Sequence, residues 1–210
     1  ANVITRMKGF NIVINDRVKD YEVIDKQIVD PGIIDRQIVH YGNYEPFVNY
    51  TILFEDEIQP MGYQTYLIKE SESKEISFKQ TNLMENDFYS ISINKNGSLK
   101  ILDKVSDIKY DEVLLIEDGS DDGDSYDYSP LENDYVIDGR NVEPATYINS
   151  YNDLDVAIIS DTLNVPKDLD SRKSKVCDCS IDISMKVMLY KNSDKINIKI
   201  DVDNKAKDHR

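Results

Sequence analysis

From Cys177 to Val202 the chain reads Cys-Asp-Cys-Ser-Ile-Asp-Ile-Ser-Met-Lys-Val-Met-Leu-Tyr-Lys-Asn-Ser-Asp-Lys-Ile-Asn-Ile-Lys-Ile-Asp-Val. Cys177, Cys179, Ile181, Ile183, Met185, Val187 and Leu189 fall on every second position, with mostly Asp, Ser and Lys between them. After a polar turn at Lys191-Asn192-Ser193-Asp194, Ile196, Ile198, Ile200 and Val202 alternate in the same way. Successive side chains of a strand point to opposite faces, so this pattern predicts an antiparallel hairpin with one buried face. Ile181, Ile183, Val187, Ile198 and Ile200 are expected to face one core. The two cysteines sit on the same stripe and read as small core residues. A Cys-x-Cys metal or redox pair is the sharper reading, but no second Cys/His pair completes it.

Working outward, Asn96-Gly97 supplies the positive φ that a tight hairpin turn needs. Tyr89, Ile91 and Ile93 alternate before it, Leu99 and Ile101 after it. Further strands are expected within residues 10–15, 50–55, 64–69, 113–117 and 153–160. Val23-Ile24-Asp25-Lys26-Gln27-Ile28-Val29 recurs ten residues later as Ile33-Ile34-Asp35-Arg36-Gln37-Ile38-Val39, around Asp30-Pro31-Gly32. Two copies are too few for a solenoid and read as two strands about a turn, although Val18, Tyr21, Ile24 and Ile28 also fit a helical face. The polar stretch Glu70-Ser71-Glu72-Ser73-Lys74 separates a front block from a longer rear block. The expected fold is therefore all-β: an antiparallel β-sandwich over 73–210, preceded by a smaller sandwich unit over 1–72.

A chain of 210 residues is long enough to bury about 70% of its unfolded surface without disulfides. Its 40 acids against 25 bases give a net charge of −15, which disfavours nucleic acid and anionic membranes as partners. No apolar run approaches the ~20 residues of a membrane helix, and two cysteines make no secreted framework, so a cytoplasmic location is expected. The ends, Ala1 without a methionine and Asp208-His209-Arg210 just after a strand pattern, read as those of an excised segment.

Catalytic motifs are missing: two histidines, His40 and His209, lie in unrelated contexts, and no HExxH, GxSxG or P-loop pattern occurs. The chain has no Trp to stack on sugars but has fourteen Tyr. Its densest cluster is Glu117-Asp118-Gly119-Ser120-Asp121-Asp122-Gly123-Asp124-Ser125-Tyr126-Asp127-Tyr128-Ser129-Pro130, which must be a loop. Its carboxylates could hold Ca²⁺, but the twelfth-position Glu and flanking helices of an EF-hand are absent. A solvated acidic turn is the plainer reading. Acids beside Tyr126 and Tyr128, two residues apart, also suit a sugar surface, since hydroxyls need acceptors and ring faces need aromatic planes.

Four blocks resemble, in order, the region that follows the catalytic domain of family 38 α-mannosidases of the bacterial type. They are Ile58-Gln59-Pro60-Met61-Gly62-Tyr63-Gln64-Thr65-Tyr66, Asn94-Lys95-Asn96-Gly97-Ser98-Leu99 through Asp103-Lys104, Gly123-Asp124-Ser125-Tyr126-Asp127-Tyr128-Ser129-Pro130, and Asp203-Asn204-Lys205-Ala206-Lys207-Asp208-His209-Arg210. The resemblance implies a galactose mutarotase-like sandwich portion that braces the enzyme's own catalytic barrel. It implies a parent that is a retaining glycosidase whose aspartate nucleophile and zinc ligands lie on that barrel. No catalytic or metal residue is expected on this chain, which alone should be inactive. It further implies that Tyr126, with Asp124 beside it, meets the α-mannoside substrate. Because the family's sandwich continues further, a homodimer through an exposed strand edge near the C-terminus is expected. A free-standing carbohydrate-binding module is the rival from another class, and it would bind sugar in isolation. A calcium-stabilised domain is a third, and it would lose stability on chelation.

Overall fold

A computed structural model describes residues 1–29, 46–124 and 126–210. The second copy of the front repeat (residues 33–39), its Asp-Pro-Gly turn and His40 therefore lie outside the described residues. The chain divides into two units, Ala1–Phe78 and Lys79–Arg210.

The first unit is built from β1 (Asn2–Thr5), β2 (Phe10–Ile14), β3 (Arg17–Lys19), β4 (Glu22–Val29), β5 (Phe47–Leu53) and β6 (Leu67–Glu70). They form two three-stranded antiparallel sheets, ordered β1-β5-β4 and β3-β2-β6. The first repeat copy is β4, which settles the strand reading over the helical one. Phe10 and Ile12 of one sheet, Val23, Tyr50 and Ile52 of the other, and Tyr21 just before β4 bury one common core. Phe10 stacks on Tyr21 and meets Tyr50 edge-on, each with ring centroids 5.2 Å apart. The buried Tyr21 hydroxyl donates to the Phe10 carbonyl, so its polar end is satisfied.

The second unit opens with β7 (Lys79–Thr81), β8 (Met84–Glu85), β9 (Tyr89–Ile93), β10 (Leu99–Asp103) and β11 (Ile108–Val113). It continues with β12 (Glu117–Asp118), β13 (Ile137–Asp138), β14 (Ala145–Ser150) and β15 (Leu154–Val165). A five-residue helix, α1 (Leu169–Lys173), leads into β16 (Cys179–Tyr190) and β17 (Ile196–Asp203). A five-stranded sheet β17-β16-β15-β14-β7 packs against a four-stranded sheet β11-β10-β9-β8, and β12 pairs with β13. The chain is thus an all-β sandwich protein, as its alternation requires.

β15 and β16 pair along twelve residues each, and Ile181, Ile183, Met185, Val187 and Leu189 are at most 6% exposed. Burying each such side chain stabilises the fold by about 1.5–3 kcal/mol. The facing sheet supplies Met84, Ile91, Leu99 and Ile101. Gly97 sits at φ +79° in the β9–β10 turn, and a Cβ there would lie 2.5 Å from Pro144, so the hairpin needs glycine. Asn86 ties the two sheets together: its amide donates to the carbonyls of Tyr190 and Ser193. Its Oδ1 accepts from the amides of Phe88 and Tyr89. Asp155, buried on the core face of β15, is satisfied by Lys191, the Ser150 hydroxyl and the Glu85 amide.

Three expectations need correction. No strand spans residues 113–117: β11 ends at Val113 and β12 begins at Glu117, with Glu112 and Leu114 at positive φ breaking the extended run. The register places Ile198 opposite Val187 and Ile200 opposite Met185, so both share the core face. Yet Ile198 is 41% and Ile200 48% exposed. β17 is the outermost strand of its sheet, and alternation records which face a residue takes without recording whether anything covers that face. Cys177 precedes β16 and is exposed, while Cys179 is half-buried at the core margin opposite Val165. No helix among the described residues is long and apolar enough to cross a membrane.

Candidate functional site

The acidic stretch singled out in the sequence forms a loop between β12 and β13, and its neck is held by the last residues of the chain. Arg210 and Gly119 exchange backbone hydrogen bonds at 2.9 and 2.8 Å. The Asp121 amide donates to the Asp208 carbonyl at 3.0 Å, and Ser120 and His209 form an antiparallel bridge. Asp208-His209-Arg210 therefore acts as a short added strand. The acidic cluster and the terminal Asp-His-Arg block, about ninety residues apart in sequence, become one local structure.

Beneath the neck lies a charged cluster that the sequence did not reveal. Helix α1 is capped by Asp168, whose carboxylate accepts from the Ser171 amide, and it turns Arg172 inward until 1% of that residue is exposed. One guanidinium nitrogen donates to the Tyr135 carbonyl at 2.7 Å and to the Asp118 carbonyl at 3.4 Å; the other binds the Asp118 carboxylate. The second Asp118 oxygen meets His209 Nδ1, and His209 Nε2 faces Asn204 Oδ1 at 3.1 Å. Asp134 places Oδ1 3.9 Å from Arg172 and accepts the Ser120 amide on Oδ2. A buried charge persists only with partners of this kind, so the cluster fixes how β12, α1 and the terminal strand meet.

Above the neck the loop is shaped by its own carboxylates. Asp122 N donates to the Ser129 carbonyl at 2.7 Å, closing the loop. Asp121 Oδ1 accepts from the amides of Gly123 and Ser129. Asp124 Oδ1 accepts from those of Tyr126 and Asp127, and these bonds hold its carboxyl below the usual carboxylate range, Tyr126's first. A Cβ on Gly123 would lie 1.8 Å from the Asp127 carbonyl oxygen, so the turn admits only glycine. No strand follows the loop directly, so Tyr126 and Tyr128, two residues apart, have no common face. Tyr126 is 93% exposed at the loop's tip, whereas Tyr128 lies under Arg210, the guanidinium 4.9 Å from the ring centroid. Asp124 stands two residues from Tyr126 as the turn's brace.

Among the described residues, no group of three or more His, Cys, Asp and Glu side chains is placed to hold a metal ion. His209, between Asp118 and Asn204, is engaged at both ring nitrogens.

The class of molecule is thus an antiparallel sandwich protein carrying a pinned, acidic loop with a tyrosine at its tip. No family model matches the chain. Among solved structures, a protein in glycosyl hydrolase family 38 from Enterococcus faecalis matches with a TM-score of 0.68 and 21% identity. The match covers 97% of this chain and 26% of that one. An α-mannosidase from Enterococcus faecalis V583 matches with the same score, identity and coverage. The chain therefore shares the fold of a segment within those family 38 structures. A curated protein of Halalkalibacterium halodurans, provisionally named a mannosylglycerate hydrolase, is 25% identical over 146 residues. That alignment covers 61% of this chain and 16% of that protein. The chain spans about a quarter or less of the length of the proteins it resembles.

Proposed function

We propose that this chain is a non-catalytic β-sandwich segment of a retaining family 38 glycosidase acting on α-mannosides. In this reading it braces the catalytic barrel and offers the loop over residues 119–130 to the sugar. The observation that carries the reading is the pairing of a loop held by its own hydrogen bonds with a tyrosine that is almost fully exposed. A residue kept for packing would be covered; Tyr126 is 93% exposed on a loop closed by internal hydrogen bonds. The phenol can donate to or accept from a sugar hydroxyl, and its ring can lie along a sugar face. Asp124 positions it by holding the Tyr126 amide. Arg210 and Asp118 act further down, fixing the neck.

Among the described residues no group of side chains is placed to hold the zinc implied for the parent, and no step of this reading passes through it. Acid–base and nucleophilic steps likewise belong to the barrel. A cytoplasmic location accords with two free cysteines, Cys177 and Cys179.

The purified chain should neither turn over an aryl α-mannoside, with or without added zinc, nor bind mannosides measurably by calorimetry. Turnover above blank, in protein free of host enzymes, would overturn the segment reading. Sugar binding by the isolated chain would make it a carbohydrate-binding module instead.

A further inference from the structure

His209 lies in the short strand that pins the loop neck, and its side chain is 13% exposed between two acceptors. Nδ1 meets Oδ1 of Asp118, whose other oxygen is bound by Arg172. A carboxylate bound to a guanidinium is ionised and can only accept, so Nδ1 carries a hydrogen. Nε2 lies 3.1 Å from Oδ1 of Asn204. The orientation of that amide is fixed independently, because the same Oδ1 accepts from the Ala206 backbone N–H at 2.9 Å. Turning the amide over would set its NH2 group against that N–H. Nε2 therefore donates as well. A neutral imidazole has one donor and one acceptor nitrogen; only the imidazolium has two donors.

We propose that His209 is a positioning residue that holds the loop neck as an imidazolium, donating to Asp118 from one nitrogen and to Asn204 from the other. Charge balance favours the same state. Asp118 faces the ring from β12, Arg172 of α1 lies behind Asp118, and Asp134 stands 3.9 Å beyond Arg172. Asp208 and Arg210 flank the ring on its own strand. With His209 charged, two cations meet two anions in the cluster. With it neutral, a negative charge is left uncompensated where Asp118 and Arg172 are at most 4% exposed. Loss of the proton to water sets a lone pair against an acceptor at one nitrogen or the other. The terminal strand then loses its side-chain hold beside Gly119, Ser120 and Asp121, where it pairs with the loop. The consequence for substrate rests on the reading that this loop meets the sugar: the proton governs how firmly Tyr126 is presented.

Nitrogen-15 NMR of the histidine ring tests this on the chain itself and needs no sugar, so its failure is distinct from failure of that reading. At neutral pH both ring nitrogens of His209 should show the shifts of N–H nitrogens. As pH is raised, hydrogen-exchange protection of the Gly119 and Asp121 amides, corrected for intrinsic exchange, should fall in step with the ring's deprotonation. Asn204→Asp keeps the acceptor for Ala206 and sets a full negative charge against Nε2–H, so it should carry the protected neck to higher pH. His209→Gln, with one donor group and one acceptor, cannot serve both partners. It should lower protection at neutral pH roughly 10–150-fold, the equivalent of one charged hydrogen bond of about 1.5–3 kcal/mol. A ring with one bare nitrogen at neutral pH would overturn the proposal. So would neck protection indifferent to the ring's titration, or a neck that Asn204→Asp loosens.

Discussion

Replacing Arg172 with Met tests whether the buried cluster holds the loop in place. Methionine keeps much of the aliphatic bulk and removes the guanidinium, so the packing loss is small and the effect is electrostatic. What is lost is the charge-assisted bond to the Asp118 carboxylate, the bonds to the carbonyls of Tyr135 and Asp118, and the positive charge beside Asp134. Asp118 is 4% exposed and would keep only His209. Stripping one partner from a buried ion pair typically costs about 3–5 kcal/mol. That is a large fraction of the roughly 5–15 kcal/mol that holds a domain together. With a urea slope of about 1–3 kcal/mol per molar, the unfolding midpoint should fall by at least about 1 M. Arg172→Lys, which keeps the charge and loses the planar fork, should fall between. The double variant Arg172→Met/Asp118→Leu should cost less than the two single changes together, since it leaves no orphaned partner across the pair. Amide exchange at Gly119 and Asp121 should quicken in Arg172→Met, because the terminal strand is anchored through Asp118 and His209. An unfolding free energy within about 0.5 kcal/mol of wild type would refute the reasoning and make the cluster incidental.

Leu189→Ala, at a fully buried site, should cost about 2–5 kcal/mol in chemical denaturation. Ile198→Ala, on the uncovered edge of the same face, should cost less than about 1 kcal/mol when measured on monomer; equal effects would mean that β17 is covered after all. The Asp124 carboxyl is held below the usual carboxylate range by the Tyr126 and Asp127 amides. Its hold on the turn is therefore complete above the ordinary aspartate pKa and lost as pH falls through the lowered value. The NMR shifts of those two amides should titrate together, at lower pH than a free aspartate, and the titration should vanish in Asp124→Ala. A midpoint at or above the ordinary value would refute the turn's electrostatic origin.

Much of the fold was legible because it is written in local periods. The every-second-residue stripe from Ile181 to Leu189 produced β16 and its buried face, and Asn96-Gly97 marked the β9–β10 turn. Coverage was not legible: Ile198 and Ile200 continue the stripe, but a face is buried only where another sheet lies over it. Cys177 failed for a related reason, since alternation runs on before the residue at which pairing begins. Arg172 stands in Ser-Arg-Lys-Ser-Lys, which reads as an ordinary solvated helix, and only tertiary structure turns it inward. The joining of Asp118 to His209 likewise spans ninety-one residues, beyond any local pattern. The Asp168-x-x-Ser171 cap was the one signal that could have placed a helix there. For the loop, glycines and crowded acids identified the turn. That its carboxylates fold back onto backbone amides, and that Tyr126 and Tyr128 part company, followed from geometry alone.

The most direct test of the account is kcat/KM on an α-mannoside for a full-length glycosidase carrying this segment, compared between wild type, Tyr126→Phe and Tyr128→Phe. Removing one hydrogen bond to the sugar costs about 1–3 kcal/mol. Tyr126→Phe should therefore lower kcat/KM by roughly 5–150-fold, at about 1.4 kcal/mol per factor of ten. Thermal stability should not change, because the ring is exposed. Tyr128→Phe keeps the ring against Arg210 and should leave the rate near that of wild type. Wild-type rates for Tyr126→Phe, or a loss confined to Tyr128→Phe, would contradict the claim that this loop presents Tyr126 to the substrate.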